Sequence, residues 1–296
     1  MANGEQSFMA RSWLFAPGDS ERKMEKATAS TADVAIFDLE DAVTEAEKPK
    51  AREMVVAFLK ANAEKRERLW VRINPIQGPF GLADLAAVMP AAPAGIMVPK
   101  PRNRADAELV HHYLTALEAA SGIEVGATKT MLLITEEPSS MLAIGDYAGV
   151  PRTVAMSWGA EDLATALGAS DNRGAFSGYD FTYELARSLC LVGAAAAGVA
   201  AIETIHGDFR DEAGLRARAA MVRRQGYRGM LAIHPAQVDV INEAFTPSAE
   251  EIAAAQEIVD VFAANPGAGT IGHKGAMLDR PHLARAQALL AIAGRA

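Results

Sequence analysis

Along the chain, short apolar runs alternate with longer stretches whose apolar positions recur every three or four residues. Eight runs stand out: "SWLFAP" from Ser12, "DVAIFDLE" from Asp33, "LWVRINP" from Leu69, "GIMVPKP" from Gly95, "MLLITEEP" from Met131, "TVAMSWG" from Thr153, "VAAIETIHG" from Val199 and "GMLAIHP" from Gly229. Each is nearly continuous rather than alternating, the pattern of a parallel strand covered on both faces. Between them lie amphipathic stretches such as "ADAELVHHYLTALEAA", Ala105 to Ala120, which read as helices. The runs recur about every 31 residues, the length of a βα unit. Eight such units in roughly 240 residues predict a (β/α)₈ barrel. A doubly wound sheet that binds a dinucleotide would carry G-x-G-x-x-G after its first strand, and "APGDSERK" stands there instead.

The expected organisation is a flexible N-terminus over residues 1–10, a barrel over 11–245 and a C-terminal helical extension over 246–296. The extension reads as a helix, "PSAEEIAAAQEIVDVFAAN", a glycine-rich break, "PGAGTIGHKGAM", and a last helix, "RPHLARAQALLAIAG". It is longer than a barrel needs to close, so it packs on its own barrel or reaches a neighbouring subunit.

Composition narrows the function classes. There are 29 Lys and Arg against 37 Asp and Glu, a net charge of −8, with no basic tract. That argues against nucleic acid or an anionic membrane as the partner. Cys190 is the only cysteine, which rules out an intrachain disulfide and fits a reducing cytoplasm. The opening "MANGEQSFMA" lacks the form of a signal peptide. The uncharged run Ser188–Ile202 is shorter than the ~20 residues a membrane span requires. The expectation is a soluble cytoplasmic protein.

In a (β/α)₈ barrel the chemistry sits at the C-terminal ends of the strands. Read in order, those ends carry Pro17 and Gly18, then Asp38, Glu40 and Asp41, then Arg72 and Asn74, then Lys100. Glu136 and Glu137, Gly159 to Asp162, Glu203 and His234 follow. Carboxylates from separate strands, with few histidines and one cysteine, favour a hard divalent cation, Mg²⁺ above others. Glu136 and Asp162, from neighbouring units, are the candidate ligands; the other reading of Glu136 is a charge at the start of the helix opened by Pro138. Arg72 lies inside the apolar run "WVRIN", so it must be paired. Either it neutralises the acidic end of the second strand, or it also aims its guanidinium at a substrate carboxylate or oxyanion. His234 before Pro235 suits a helix start, and no H-x-x-x-H pair supports a zinc hydrolase. The turn "APGDSERKMEKA" reads either as a phosphate cradle, with Lys23 or Lys26 adding charge, or as a solvated helix face.

Several segments resemble the citrate lyase β-subunit and malyl-CoA lyase family. They are "FAPGDSERKMEKATASTADVAIFDLEDAVTEAEKPKAR", "VRINP", "VPK", "WGAEDL", "IHPAQV" and "GAMLDRPHLARA", in that order from Arg11 to about Ala286. The resemblance implies a (β/α)₈ barrel, Mg²⁺ dependence, and cleavage or formation of a carbon–carbon bond between an acyl-CoA and a small keto acid. It places metal binding on Glu136 and Asp162, with Glu136 also meeting substrate. Enolate binding falls on Arg72, and contact with the CoA thioester on Phe15 and Lys26. Asp279 is implied as a proton-transfer group supplied to a neighbouring active site in a trimer or hexamer; locally, Asp279 also reads as a helix N-cap. The sequence departs from the family at Ser20, where an arginine is usual, at "TEE" after the fifth strand, and at Glu203, where an aspartate is expected. A thioesterase on the same fold and a citryl carrier-protein lyase subunit are the alternatives.

Overall fold

The computed structural model describes residues 9–174 and 178–294. Residues 1–8, most of the segment expected to be a flexible N-terminus, lie outside them. Ala10 is not loose: it is buried, and its carbonyl accepts the Trp13 indole N–H at 3.1 Å.

Each of the eight apolar runs coincides with or overlaps a strand: β1 (Ser12–Pro17), β2 (Val34–Asp38), β3 (Leu69–Arg72), β4 (Gly95–Val98), β5 (Lys129–Ile134, starting two residues before its run), β6 (Thr153–Trp158), β7 (Ala200–Glu203) and β8 (Gly229–Ala232). They are parallel and hydrogen-bonded in sequence order, and β1 closes on β8. Eleven helices were formed among the described residues. Those that connect the strands are α1 (Glu21–Ala29), α2 (Lys48–Ala61), α3 (Gly81–Val88), α4 (Arg104–Ser121), α5 (Pro138–Leu142), α6 (Ala160–Leu167), α7 (Phe181–Ala197) and α8 (Glu212–Gln225); α9 (Val238–Phe245) follows β8. The (β/α)₈ barrel expected from the sequence is the fold. None of the described helices is long and apolar enough to cross a membrane.

Side chains alternate along each strand, so every second residue enters the barrel. Trp13, Ile36, Trp70, Met97, Met131, Leu133, Ile202 and Leu231 fill the interior, with Trp13 and Trp70 edge to face at 5.0 Å. Two residues further along, the same alternation brings Phe15 after Trp13, Asp38 after Ile36 and Arg72 after Trp70. The apolar core and the polar rim are therefore successive layers of one packing pattern.

The chain divides into two compact units, the first through Asn242 and the second from Glu243. In the second, α10 (Ala249–Ala264) and α11 (Arg280–Ile292) pack through Ala255, Ala286 and Leu290. The segment read as a glycine-rich break is instead an antiparallel hairpin of β9 (Thr270–His273) and β10 (Ala276–Asp279). Its two-residue turn, Lys274-Gly275, has φ of 48° and 78°, the twist that a tight hairpin requires. Glu257 of α10 pins the turn by accepting from His273 at 2.7 Å and Lys274 at 2.8 Å.

One glycine tests the interior packing. A Cβ on Gly95 would stand 2.5 Å from the Trp70 ring, and Trp70 is fully buried. Gly95→Ala should destabilise the barrel by about 1–3 kcal/mol, the usual cost of overpacking. Denaturation would read this directly, and an unchanged midpoint would show that the Trp70 ring can move aside.

Candidate active site

The rim is organised by the register of β2 and β3. Asp38 and Arg72 are direct partners across these strands. The guanidinium meets the Asp38 carboxylate with two parallel hydrogen bonds, Nε at 2.7 Å and Nη2 at 2.6 Å. The same carboxylate accepts the N–H groups of Glu40 at 2.9 Å and Ala42 at 3.1 Å. Burial works to raise the Asp38 carboxyl, but Arg72 and these N–H groups outweigh it and hold it below the ordinary carboxylate range. Asp38 is thus structurally committed and folds the acidic loop around itself.

Arg72 also faces Glu40 at 2.9 Å and Asp41 at 3.6 Å through Nη1, and its guanidinium lies 4.9 Å from the centre of the Phe15 ring. Lys48 fastens the loop from behind, donating to the carbonyls of Leu39 at 2.9 Å and Glu40 at 2.8 Å. Burial raises Glu40 to about 7, with Asp41 adding to the rise and Arg72 and Lys100 opposing it.

Glu136 and Asp162 approach from the next part of the rim. Glu136 follows Thr135, a residue held at φ 79°. Its carboxylate is buried; Oε2 accepts the backbone N–H of Lys100 at 2.9 Å. Burial, then the charges of Asp162 and Glu40, push the Glu136 carboxyl well above its ordinary value. A Cβ on Gly159 would stand only 2.8 Å from Glu136 Oε1, so glycine at this position leaves space beside that oxygen. Asp162 lies in the first turn of α6, where helix-end N–H groups favour an anion. Lys100, with φ 49°, sends its ammonium to Asp162 at 2.9 Å, Glu40 at 2.6 Å and Asp41 at 3.5 Å.

A cavity of about 390 Å³ opens over these groups. Phe15, Arg72, Glu136 and Asp162, all expected from the sequence, line it together with Asp38 and Asp41. Its apolar wall, which sequence reasoning missed, includes Leu133, Trp158, Tyr179, Ile205 and Leu231. Lys26 does not line it; it stands on the exposed face of α1. Asp279 belongs to the second unit and caps α11: it accepts the His282 N–H at 3.3 Å, donates its own N–H to His282 Nδ1 at 3.2 Å, and its carboxylate touches that ring nitrogen.

Two other strand ends are structural. Glu203 is buried and held by Arg218, with Trp158 donating at 3.3 Å; burial raises its carboxyl despite Arg218. His234 accepts the Ala236 N–H at 3.2 Å in a capping box and stacks on Phe209 at 4.4 Å.

The donor chemistry fits a hard divalent cation. Glu136 offers one oxygen beside a space kept clear by glycine, and Asp162 offers a carboxylate on the same cavity wall. Among the described residues no group of three or more His, Cys, Asp or Glu side chains could hold a metal. Two carboxylates suit Mg²⁺, which commonly keeps its remaining positions for water and substrate.

The fold and rim define a (β/α)₈ barrel with a paired-carboxylate site at the C-terminal ends of its strands. Residues 11–235 match the HpcH/HpaI aldolase/citrate lyase family, and the chain belongs to that family. It is 32% identical over 285 residues to the citrate lyase subunit beta of Haemophilus influenzae, covering 95% of this chain and 96% of that one. It is 34% identical over 291 residues to a (3S)-malyl-CoA thioesterase of Cereibacter sphaeroides, covering 97% and 96%. The structure of protein CitE from Mycobacterium tuberculosis in complex with magnesium, acetoacetate and coenzyme A matches with a TM-score of 0.79 and 31% identity, over 97% of this chain and 99% of that one.

The raised Glu40 carboxyl has a measurable consequence. Its ordinary value is 4.5 and its folded value about 7, so between these limits the folded chain binds more protons than the unfolded one. Stability from this group therefore falls as pH rises through that window. Glu40→Gln removes the effect, so its melting temperature relative to the unsubstituted protein should climb as pH rises from about 5 to 8. A difference that stays flat across that range would show that Glu40 is not protonated in the fold.

Proposed function

We propose that this protein is a Mg²⁺-dependent carbon–carbon lyase. Its substrate would be a β-hydroxyacyl-CoA such as malyl-CoA or citramalyl-CoA, cleaved to an acyl-CoA and a keto acid, or formed from them. The observation that carries the reading is the single cavity lined by Glu136, Asp162 and Arg72.

Cleavage removes the hydroxyl proton to solvent or a base, and the O–H electron pair forms the keto acid's C=O as the bond to the carbon α to the thioester breaks. The electron pair of that bond passes to the thioester as an enolate, and the α-carbon then takes a proton, so one proton leaves and one is gained. Glu136 and Asp162 would hold the cation, which when bound supplies Lewis-acid polarisation of the hydroxy-acid oxygens. Asp38 takes two of the five N–H donors of Arg72 and fixes the plane of its guanidinium. Donors left on that plane would meet the thioester oxygen as negative charge develops, a contribution of about 3–4 kcal/mol in comparable oxyanion sites. Phe15 supports Arg72 from its ring face and would border the thioester. Lys26, exposed on α1, would meet the more distant, anionic part of CoA. Asp279, supplied by another subunit of a homo-oligomer, would transfer the proton at the α-carbon.

A second reading, an acyl-CoA thioesterase, has the support of the Cereibacter sphaeroides relatives named for that activity. It would use the same site, with water adding to the thioester carbonyl, the C–S bond breaking and CoA leaving as the thiolate, which takes up the proton that the water loses.

Purified protein with Mg²⁺ should turn over at least one of malyl-, methylmalyl-, citramalyl- and citryl-CoA. Keto acid plus acyl-CoA marks the lyase; free hydroxy acid plus CoA marks the thioesterase. Chelation should stop turnover and added Mg²⁺ should restore it. Asp162→Asn should lose at least about 100-fold, since even outer-shell changes at metal sites cost about 10–100-fold. A folded Asp162→Asn protein with normal Mg²⁺-dependent turnover would remove Asp162 from the metal site.

Asp279 is tested by complementation. Asp279→Ala and Asp162→Asn should each be inactive alone, and mixing them should restore part of the activity once subunits exchange. Verified exchange with no recovery would confine Asp279 to its own chain or to capping.

A further inference from the structure

Lys100 connects the two candidate metal carboxylates without being one itself. Its backbone N–H binds Glu136 Oε2 at 2.9 Å, while its ammonium binds Asp162 at 2.9 Å and Glu40 at 2.6 Å. The left-handed φ of 49° lets one residue do both: the peptide points along the rim towards β5 and the side chain turns back across it. We propose that the Lys100 ammonium is a resident counter-ion of the cation site. It occupies the Asp162 side until a divalent ion arrives, then withdraws onto Glu40 and Asp41, and so weakens and regulates the hold on the ion. This rests on the cation reading of Glu136 and Asp162.

The charges make the role necessary. Asp38, Glu40, Asp41, Glu136 and Asp162 crowd one rim, and Arg72 already serves the first three. Among the described residues, the ion pair shown for Asp162 is the one with Lys100. A divalent ion at Asp162 would repel an ammonium that close, and both would compete for the same carboxylate oxygen. Withdrawal costs Lys100 little. Its flexible four-carbon stem keeps the shorter contact to Glu40, and Asp41 stands 3.5 Å away. The backbone bond to Glu136 does not depend on the side chain, so the Glu136 half of the site persists while the Asp162 half exchanges partners.

The test is Mg²⁺ binding by calorimetry to metal-free protein, with no turnover required. Lys100→Met and Lys100→Gln keep an unbranched stem without the charge and should bind Mg²⁺ about tenfold tighter or more, a shift of about 1.4 kcal/mol. Lys100→Arg keeps the charge and should stay nearer the unsubstituted affinity. Without the ion, the Met and Gln variants should melt lower than the parent, and saturating Mg²⁺ should close that gap. Equal or weaker binding by both neutral variants overturns the proposal. If the neutral variants fold only with the ion, competition against a chelator of known affinity yields the same comparison. Asp162→Asn is the blank: a parent that binds no Mg²⁺, or a blank that binds as the parent does, removes the cation site itself and the role of Lys100 with it.

Discussion

The rim depends on the ion pair between Asp38 and Arg72. Two charges this deeply buried are expensive, and their attraction offsets the loss of water only when geometry and remaining hydrogen bonds are good. Here both conditions hold. Two guanidinium donors meet the carboxylate in parallel, and two backbone N–H groups satisfy its remaining lone pairs. The pair therefore contributes position more than net stability. It fixes the guanidinium plane against the Phe15 ring, and it winds the chain after β2 into a loop that presents Glu40 and Asp41 to the same rim.

That loop creates the next requirement. Glu40 and Asp41 bring more negative charge than Arg72 answers, and Glu136 and Asp162 add to it from neighbouring elements. The chain responds with Lys100 and with backbone strain on both sides of Glu136. Thr135 at φ 79° and Lys100 at φ 49° are conformations that side chains with a Cβ rarely adopt, worth about 1–3 kcal/mol each. Each directs a group that an extended strand end would point elsewhere. Thr135 turns the chain so that Glu136 enters the cavity, and Lys100 aims its N–H at that carboxylate. Burial and like charge converge on Glu136, and a cation held there, as proposed, would offset the cost of keeping its carboxylate ionised.

Much of this was legible in sequence because the determinants are local. Parallel strands covered on both faces must be continuous apolar runs, so all eight were visible. An arginine inside such a run must find an acid, and the acidic end of the preceding strand was the nearest one. The hairpin at β9 and β10 was not visible, because a glycine-rich stretch reads as a break unless the Lys274-Gly275 turn is weighed. Nor was the use of Glu203, whose partner Arg218 comes from the following helix. The apolar wall of Leu133, Ile205 and Leu231 was hidden for a different reason: each residue reads locally as core, and only barrel closure brings them together where the packed interior meets the cavity. Lys100 was visible as a cation at a strand end, but its double contact depends on a backbone angle that its sequence does not announce.

The proton transfer proposed for Asp279 would place a second demand on a carboxylate that already caps a helix. Its hydrogen bond from His282 holds it below the ordinary carboxylate range, so as a cap it is ionised. An ionised aspartate is suited to removing the α-proton in condensation, whereas cleavage needs it to carry a proton. Burial in an apolar pocket would raise the carboxyl and make protonation accessible at neutral pH. The proposed proton transfer in the cleavage direction therefore requires surroundings that the half-buried helix cap lacks. A neighbouring active site, with the apolar wall of Leu133, Trp158 and Ile205, would provide them. Assembly would then do more than deliver Asp279 to the substrate: it would also make the protonated form that cleavage needs accessible.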